Sequence, residues 1–260
     1  MNIDPYTSAV MLRENSEMDE SELLFELSSS DRIKIMLLVS EQKLKLSFIS
    51  KKMNMTVTET SRHLQRLSEA KLLEKTVDGS YKLTTFGQLT LSLMPSFSFI
   101  SAYSEYLATH NLSNLPPEFT ARIGDLQNCT FTDDVMIAFH IAENLIEEAQ
   151  EYVWILSNQV LVSTVEPLEN ALKRGVKFRL ILPEKFTLPP GLKPFPPFPN
   201  LLERRFLKEI DVILVLSEKQ ARVAFQTVSG MMDYIGFGST DGKALNWCSD
   251  LFTYYWRKAK

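Results

Sequence analysis

Only two cysteines, Cys129 and Cys248, occur in the 260-residue chain, and they form no Cys-x-x-Cys pair. That excludes a Cys-rich zinc site and fits a reducing cytoplasm, so each thiol reads as a small buried hydrophobe. No stretch of about 18 apolar residues is present, and the N-terminus has neither a basic start nor an apolar core. A membrane span and secretion are therefore not expected, and the expected location is cytoplasmic. The chain also lacks Gly-x-Gly-x-x-Gly, a Walker lysine loop, Gly-x-Ser-x-Gly and any cluster of metal ligands, which leaves no catalytic residue, cofactor or metal to assign. Gly236-Phe237-Gly238 is too short for a phosphate loop and reads as a strand end; Glu147, Glu148 and Glu151 read as a solvated helix end. What remains is of ordinary globular composition, 45% hydrophobic and 23% charged, with length for about two domains that each bury a core.

The most informative stretch runs from Leu46 to Leu73. Thr56 followed by Glu59 is the spacing of a capping box, in which each side chain satisfies an amide at a helix start. In the helix this opens, Thr60, Leu64 and Leu67 recur at intervals of four and three and share an inward face. Val57, Thr58, Ser61, Arg62 and Gln65 fall on the other face, which is small, hydroxylated and forked by one guanidinium. Such a surface can enter a DNA major groove: hydroxyls reach phosphates or base edges, Arg pairs with both guanine acceptors and Gln with adenine. Upstream, Leu46, Ile49 and Met53 predict a short amphipathic helix, and Asn54-Met55 leaves only a tight turn, the spacing of a helix-turn-helix. Met36, Ile49, Leu64 and Leu67 are expected to be buried together, and His63 to pack beside Arg62 without titrating.

Downstream, Leu72–Thr76 and Tyr81–Thr84 flank Val77-Asp78-Gly79-Ser80, a strand, turn and returning strand. The run MTVTETSRHLQRLSEAKLLEKTVDGSYKLTTFG resembles ArsR-like and MarR-like winged-helix regulators. The resemblance implies double-stranded DNA as partner, with Thr58, Ser61, Arg62 and Gln65 in the groove, Thr56 as a capped phosphate contact, and Lys75, Tyr81 and Lys82 on the wing. Charge agrees: residues 31–90 hold 11 Lys and Arg against 6 Asp and Glu, a local +5 in a chain of net −4. Winged helices also dock proteins, so an interaction adaptor without DNA readout is the alternative; a steep fall of affinity with salt separates the two.

Residues 1–18 are polar and weakly periodic, and order is expected from about Met18, the first several residues being mobile. Glu22–Leu27 predicts a helix, and Ser30 or Asp31 caps the next, with Ile33, Leu37 and Leu38 inward and Arg32 and Lys34 outward. After the wing, a periodic stretch from Thr85 is expected to end or kink at Pro95. The aromatic run Phe97, Phe99, Tyr103 and Tyr106 is expected to serve both an intrachain contact and a homodimer interface. The loop His110–Pro117 is the expected domain boundary.

The second half alternates helices with apolar strands. Helices are predicted over Asp133–Gln150, where His140 is partly buried, over Val165–Lys173 and over Ala244–Arg257. Strands are predicted over Tyr152–Leu156, Val176–Leu182, Ile210–Leu216, Arg222–Thr227 and Met232–Phe237, the first two forming a parallel crossover unit. Seven of the 12 prolines fall between Pro183 and Pro199, which predicts a stiff extended excursion. This half, with the run Pro116-Pro117-Glu118 to Arg122-Ile123-Gly124-Asp125-Leu126, the Arg174-Gly175-Val176 turn and the aromatic C-terminal helix, resembles archaeal regulators related to a methanogenesis regulatory protein. The resemblance implies an effector domain like half of a phospholipase D fold. Phospholipase D chemistry needs His-x-Lys followed by Asp, and none of His63, His110 and His140 is followed two residues on by Lys, so catalysis is not expected. The Pro-rich stretch departs from the charged helix usual in that family.

Ligands of parallel layers bind beyond the carboxyl ends of strands, which selects Ser157 and Asn158, where Asn158 would orient a small-molecule or protein effector, and Lys185, which would favour an anionic group. The expected architecture is α+β: a winged helix-turn-helix over 19–88, a helical linker or dimerisation segment over 89–117, and an α/β layer domain over 118–260. The expected function is a homodimeric, DNA-binding transcriptional regulator whose second domain senses a ligand or partner.

Overall fold

The computed structural model describes residues 18–187 and 200–260. Most of the Pro-rich excursion, from 188 to 199, and the expectations on residues 1–17 lie outside the described residues. The chain forms two compact units, Met1–Met94 and Pro95–Lys260.

In the first unit α1 (Glu20–Leu27) is capped by Asp19 and α2 (Ser30–Glu41) by Ser29, whose side chains accept amide N–H bonds from Glu22 and Arg32. Then come β1 (Leu44–Lys45), α3 (Leu46–Met53), α4 (Val57–Glu69), β2 (Leu73–Lys75) and β3 (Ser80–Leu83). The three strands make an antiparallel sheet in the order β1-β3-β2. Ile35, Met36, Ile49, Leu64, Leu67 and Leu72 are wholly buried at its centre. The phase of α2 differs from expectation. Arg32 is buried and Leu37 is half exposed, because Arg32 turns back to the end of α1, donating from Nε to Glu26 O at 2.6 Å and from Nη2 to Phe25 O at 2.7 Å. The last-turn carbonyls of α1 and the Glu26 carboxylate, 3.0 Å from Nε, hold the guanidinium, and Ile35, Met36 and Val39 supply the inward face instead.

Helix α5 (Thr85–Ala102) starts where Gly87 lies against the chain at Leu72: a Cβ there would stand 2.1 Å from Leu72 O. The helix continues through Pro95 instead of ending there, since a proline removes a single i→i−4 bond and leaves the rest of the ladder intact. It stops at Tyr103 and is followed by α6 (Ser104–Thr109) and β4 (His110–Asn111).

The second unit is built on an eight-stranded sheet. Its path is β5 (Thr130–Thr132), β11 (Gly236–Ser239), β10 (Ala221–Thr227), β9 (Val212–Ser217), β6 (Tyr152–Leu156), β7 (Lys177–Pro183) and β8 (Leu202–Leu207), with β4 paired to β10 off that path. The β6, β7 and β8 strands are parallel and their other neighbours antiparallel, so the sheet is mixed. Helices α8 (Val135–Glu148) and α9 (Val165–Lys173) cover one face through Leu145, Ile146, Leu168 and Leu172. The other face is covered by α10 (Gly242–Lys258), α7 (Pro117–Ala121) and the 3-10 turn Ile123–Leu126. Strand alternation separates the two cores: Leu214 and Leu216 face one, Val215 the other.

The expected boundary at 110–117 is not where the units divide. Phe99, Tyr106 and Leu115 are buried in the second core, and His110–Asn111 pairs with Thr227 and Gln226 in the sheet, so this segment belongs to the second unit. The expected strand Met232–Phe237 begins only at Gly236. There the backbone approaches β10 so closely that a Cβ would meet Val223 O at 2.2 Å, so a glycine opens the strand, and Gly236-Phe237-Gly238 stands at a strand end as expected. His140 is solvent-exposed, 3.8 Å from Glu143, because it lies on the face of α8 that turns away from the sheet. Both cysteines are buried and free; burial pushes the Cys129 thiol up to about 11 and raises that of Cys248 as well.

Candidate nucleic-acid interface and a cavity in the second unit

The start of α4 is fixed by its capping box: Thr56 Oγ1 accepts the Glu59 N–H at 3.2 Å, and the Thr56 N–H donates to Glu59 Oε2 at 3.0 Å. Ahead of it, Asn54 takes the left-handed conformation at φ 53° and the Met55 N–H donates to Ser50 O at 3.0 Å, which makes the tight turn between α3 and α4. Thr60, Leu64 and Leu67 are buried, and Thr58, Ser61, Arg62 and Gln65 are exposed on the opposite face. A shallow groove of about 440 Å³ runs along that face, lined by Leu46, Val57, Thr58, Ser61, Arg62 and Gln65. Among the described residues, the side chains of Thr58, Ser61 and Arg62 make no hydrogen bond or ion pair, while Gln65 Nε2 donates to Glu69 Oε1 at 2.8 Å.

The wing meets the same helix. Hairpin register sets Lys75 opposite Tyr81 and Glu74 opposite Lys82, and alternation puts the two pairs on opposite faces. Lys75 and Tyr81 line a second groove of about 410 Å³ with Ser61, Gln65, Ser68 and Glu69; the Lys75 Nζ stands 5.8 Å from the Tyr81 ring centre. Ser68 Oγ and His63 Nδ1 are buried without a partner among the described residues. The turn is held by Asp78, which bonds the Thr76 hydroxyl, Lys43 and the Ser80 N–H; these hold its carboxyl far below the usual carboxylate range.

Two expected contacts are corrected by this geometry. The Thr56 hydroxyl donates its proton to Glu59 Oε2 at 2.7 Å, so the carboxylate occupies the place a phosphate would take. Lys82 lies on the far face of the hairpin, ion-paired to Glu74 at 2.8 Å. The remaining six, Thr58, Ser61, Arg62, Gln65, Lys75 and Tyr81, are brought together.

In the second unit a cavity of about 60 Å³ lies between the sheet and helices α8 and α9. Its walls are apolar, from Ala138, Phe139, Ala142, Leu168, Leu180 and Ile213, with Ser157, Gln159, Thr164, Tyr234 and Arg222 as polar members. Ser157, just past β6, lines it as expected. Asn158 does not; it accepts the Tyr234 hydroxyl at 2.6 Å and so holds that ring at the edge of the cavity. Lys185 is exposed and outside the lining, because the residues of β7 that reach the cavity are Leu180 and Leu182. Arg222 and Tyr234 were not anticipated. The signal available was a charged residue inside Ala-Arg-Val-Ala-Phe, a stretch otherwise composed for a buried strand.

A helix-turn-helix with a capped second helix and an antiparallel wing defines the first unit as a winged helix. Residues 29–75 match the family described as bacterial regulatory protein, arsR family, so this segment is similar to an arsR-type helix-turn-helix. Among solved structures, the archaeal chromatin protein TrmBL2 is 14% identical over 96% of this chain and 97% of that one, with a TM-score of 0.41. The homodimeric winged helix-turn-helix DNA-binding domain of Mb0332 from Mycobacterium bovis is 17% identical over 41% of this chain and 93% of that one, at 0.29. NucT from Helicobacter pylori is 11% identical over 51% and 96%, at 0.37. Likenesses this distant carry no function across. No curated protein sequence matches the chain.

Proposed function

We propose that the chain is a homodimeric, sequence-specific DNA-binding transcriptional regulator whose second unit senses an effector. The observation that carries the DNA reading is the unpartnered Arg62 guanidinium, set beside Thr58 and Ser61 on an exposed helix face that continues into Lys75 and Tyr81 of the wing. An Arg in that place can take both major-groove acceptors of guanine, and the small hydroxylated neighbours let the helix approach. The dimer reading is supported by α5, where Phe86, Leu89, Leu93, Phe97 and Ile100 recur at three- and four-residue spacing and are all exposed. Two copies of α4 would then read two half-sites.

The effector reading rests on the cavity. A ligand shifts DNA affinity only by binding the free and DNA-bound arrangements unequally. We take the second unit as an effector domain of the methanogenesis-regulator kind, without phosphodiesterase activity. In support, His110 is stacked on Tyr106, bonded to Asp233 at 3.0 Å and buried, and His140 lies exposed on α8 with Asn144 at 3.2 Å and Glu143 at 3.8 Å.

The test is selection of bound duplexes from a random pool, run side by side with wild type and Arg62→Ala. An inverted repeat enriched by wild type alone is the expected result. Enrichment of the same site by both proteins would place the readout elsewhere, and steady binding by wild type across a salt series would favour protein docking.

A further inference from the structure

Among the described residues, Arg222 is the only charged side chain lining the cavity of the second unit, and it is 5% exposed. Its Nη1 donates to Thr132 Oγ1 at 3.1 Å and its Nη2 to Tyr234 O at 3.1 Å. A guanidinium has five donors, so these two bonds leave the others without a protein acceptor among the described residues. No carboxylate there pairs with it. Burial lowers its pKa to about 10, which still leaves it cationic at neutral pH. An unpaired buried charge is among the most unfavourable features a core can hold, and it persists where something compensates it.

The walls and the size define what that compensation is. Apart from Arg222 and the neutral Ser157, Gln159, Thr164 and Tyr234, the lining is hydrocarbon, Ala138, Ala142, Leu180 and Ile213 among it. One guanidinium neutralises one negative charge, and a planar carboxylate matches its fork. A phosphate dianion would keep a charge against apolar walls. The volume of about 60 Å³ is roughly four to six times the ~10–15 Å³ that one water needs on this measure, room for a ligand of about as many heavy atoms and too little for a sugar, a nucleotide or an aromatic acid. Tyr234 closes one edge in a left-handed conformation at φ 63°, its ring 5.1 Å from Phe139 and its hydroxyl on Asn158. Strain of this kind is kept where surrounding contacts impose it, as at ligand clamps.

We propose that this cavity binds a short-chain aliphatic monocarboxylate, with the carboxylate on the free donors of Arg222 and the alkyl chain against Ala138, Ala142 and Leu180. The assignment deepens the effector part of the proposed function and rests on it. The competing role for Arg222 is a structural tie that holds Thr132 and Tyr234 together.

Calorimetric titration of the full chain with sodium butyrate, with butyramide as the neutral control at equal ionic strength and no DNA present, separates the two. Saturable one-to-one binding of butyrate and none of butyramide is expected, with affinity at least tenfold lower in Arg222→Met. Because that variant also loses two structural bonds, Ala142→Leu, which fills the cavity and leaves the guanidinium untouched, is measured beside it, and the same tenfold loss is expected. No saturable heat with wild type, equal binding of butyramide, or undiminished binding by Ala142→Leu would overturn the assignment. Butyrate binding that leaves DNA affinity unchanged would uphold the site and overturn only the effector reading.

Discussion

Arg62 and Arg66 stand one turn apart on α4 and are put to opposite uses by their surroundings. Arg66 donates from Nε to Glu26 Oε2 at 3.2 Å and from Nη2 to Oε1, and stacks over the Phe25 ring at 5.1 Å, which ties α4 to α1. Arg62 has none of these partners and points to solvent. Arg62→Ala is therefore expected to leave the melting temperature unchanged and to weaken binding to a selected site by about 1–3 kcal/mol. Arg66→Ala is expected to lower the melting temperature and leave the sequence preference intact. Calorimetric melting with fluorescence anisotropy on one duplex checks both, and a reversed pattern would exchange their roles.

Thr56 makes a different point at the same scale. Its hydroxyl and N–H bonds hold the Glu59 carboxyl below its usual 4.5, the hydroxyl bond first, with His63 and Arg62 adding a smaller share. A carboxylate with a depressed folded pKa contributes stability that is present above the unfolded pKa and lost as pH falls through the folded one. Thr56→Ala is expected to cost about 1 kcal/mol at pH 7 and to lose less than wild type between pH 5 and pH 3. Urea titrations at the two ends of that window test this; parallel pH profiles would show that the cap is not what titrates.

Among the elements, those with local chemistry were legible. The capping box and the four-three spacing of α4 are both short-range signals, and both are present as read. The phase of α2 was not legible, because in Ile33-Lys34-Ile35-Met36-Leu37-Leu38-Val39 apolar residues lie on every side and the spacing selects no face. A long-range contact of Arg32 made that choice. The β8 and β5 strands escaped for another reason: they lie at the two edges of the sheet path, and LERRFL carries the charges that edge strands use against unwanted pairing. Within the site, the groove residues of α4 were readable from periodicity. The sorting of Lys75 from Lys82 needed the hairpin register, and Arg222 needed the whole sheet. The exposed stripe of α5 carries the prediction at this scale. Leu89→Glu with Leu93→Glu places two charges in an exposed apolar face, and sedimentation velocity is expected to show dimer for wild type and monomer for the variant. A monomeric wild type, or a variant that remains dimeric, would remove α5 from the interface.

At the scale of the whole molecule the decisive property is how charge is divided. Residues 31–90 carry +5 and the chain −4, so the remainder carries −9. Net charge alone would predict repulsion from DNA, and binding must come from a local field. Among the described residues, Lys45, Lys51, Lys52, Arg62 and Lys75 have no ion-pair partner and lie on α3, α4 or the strands beside them, whereas Lys43 and Lys82 are neutralised by Asp78 and Glu74. If each free cation of two copies displaces a counterion, affinity falls with log salt at a slope near about −9, a loss on the order of 10⁵ between 50 and 200 mM. Contacts to bases and contacts to phosphates then separate cleanly. Lys75→Ala is expected to lower the steepness by about one per copy and weaken all duplexes alike, while Arg62→Ala is expected to weaken the selected site far more than a random one. Equal loss on both duplexes for Arg62→Ala, with a matching drop in slope, would make Arg62 a phosphate contact and transfer base reading to Ser61, Thr58 and Gln65.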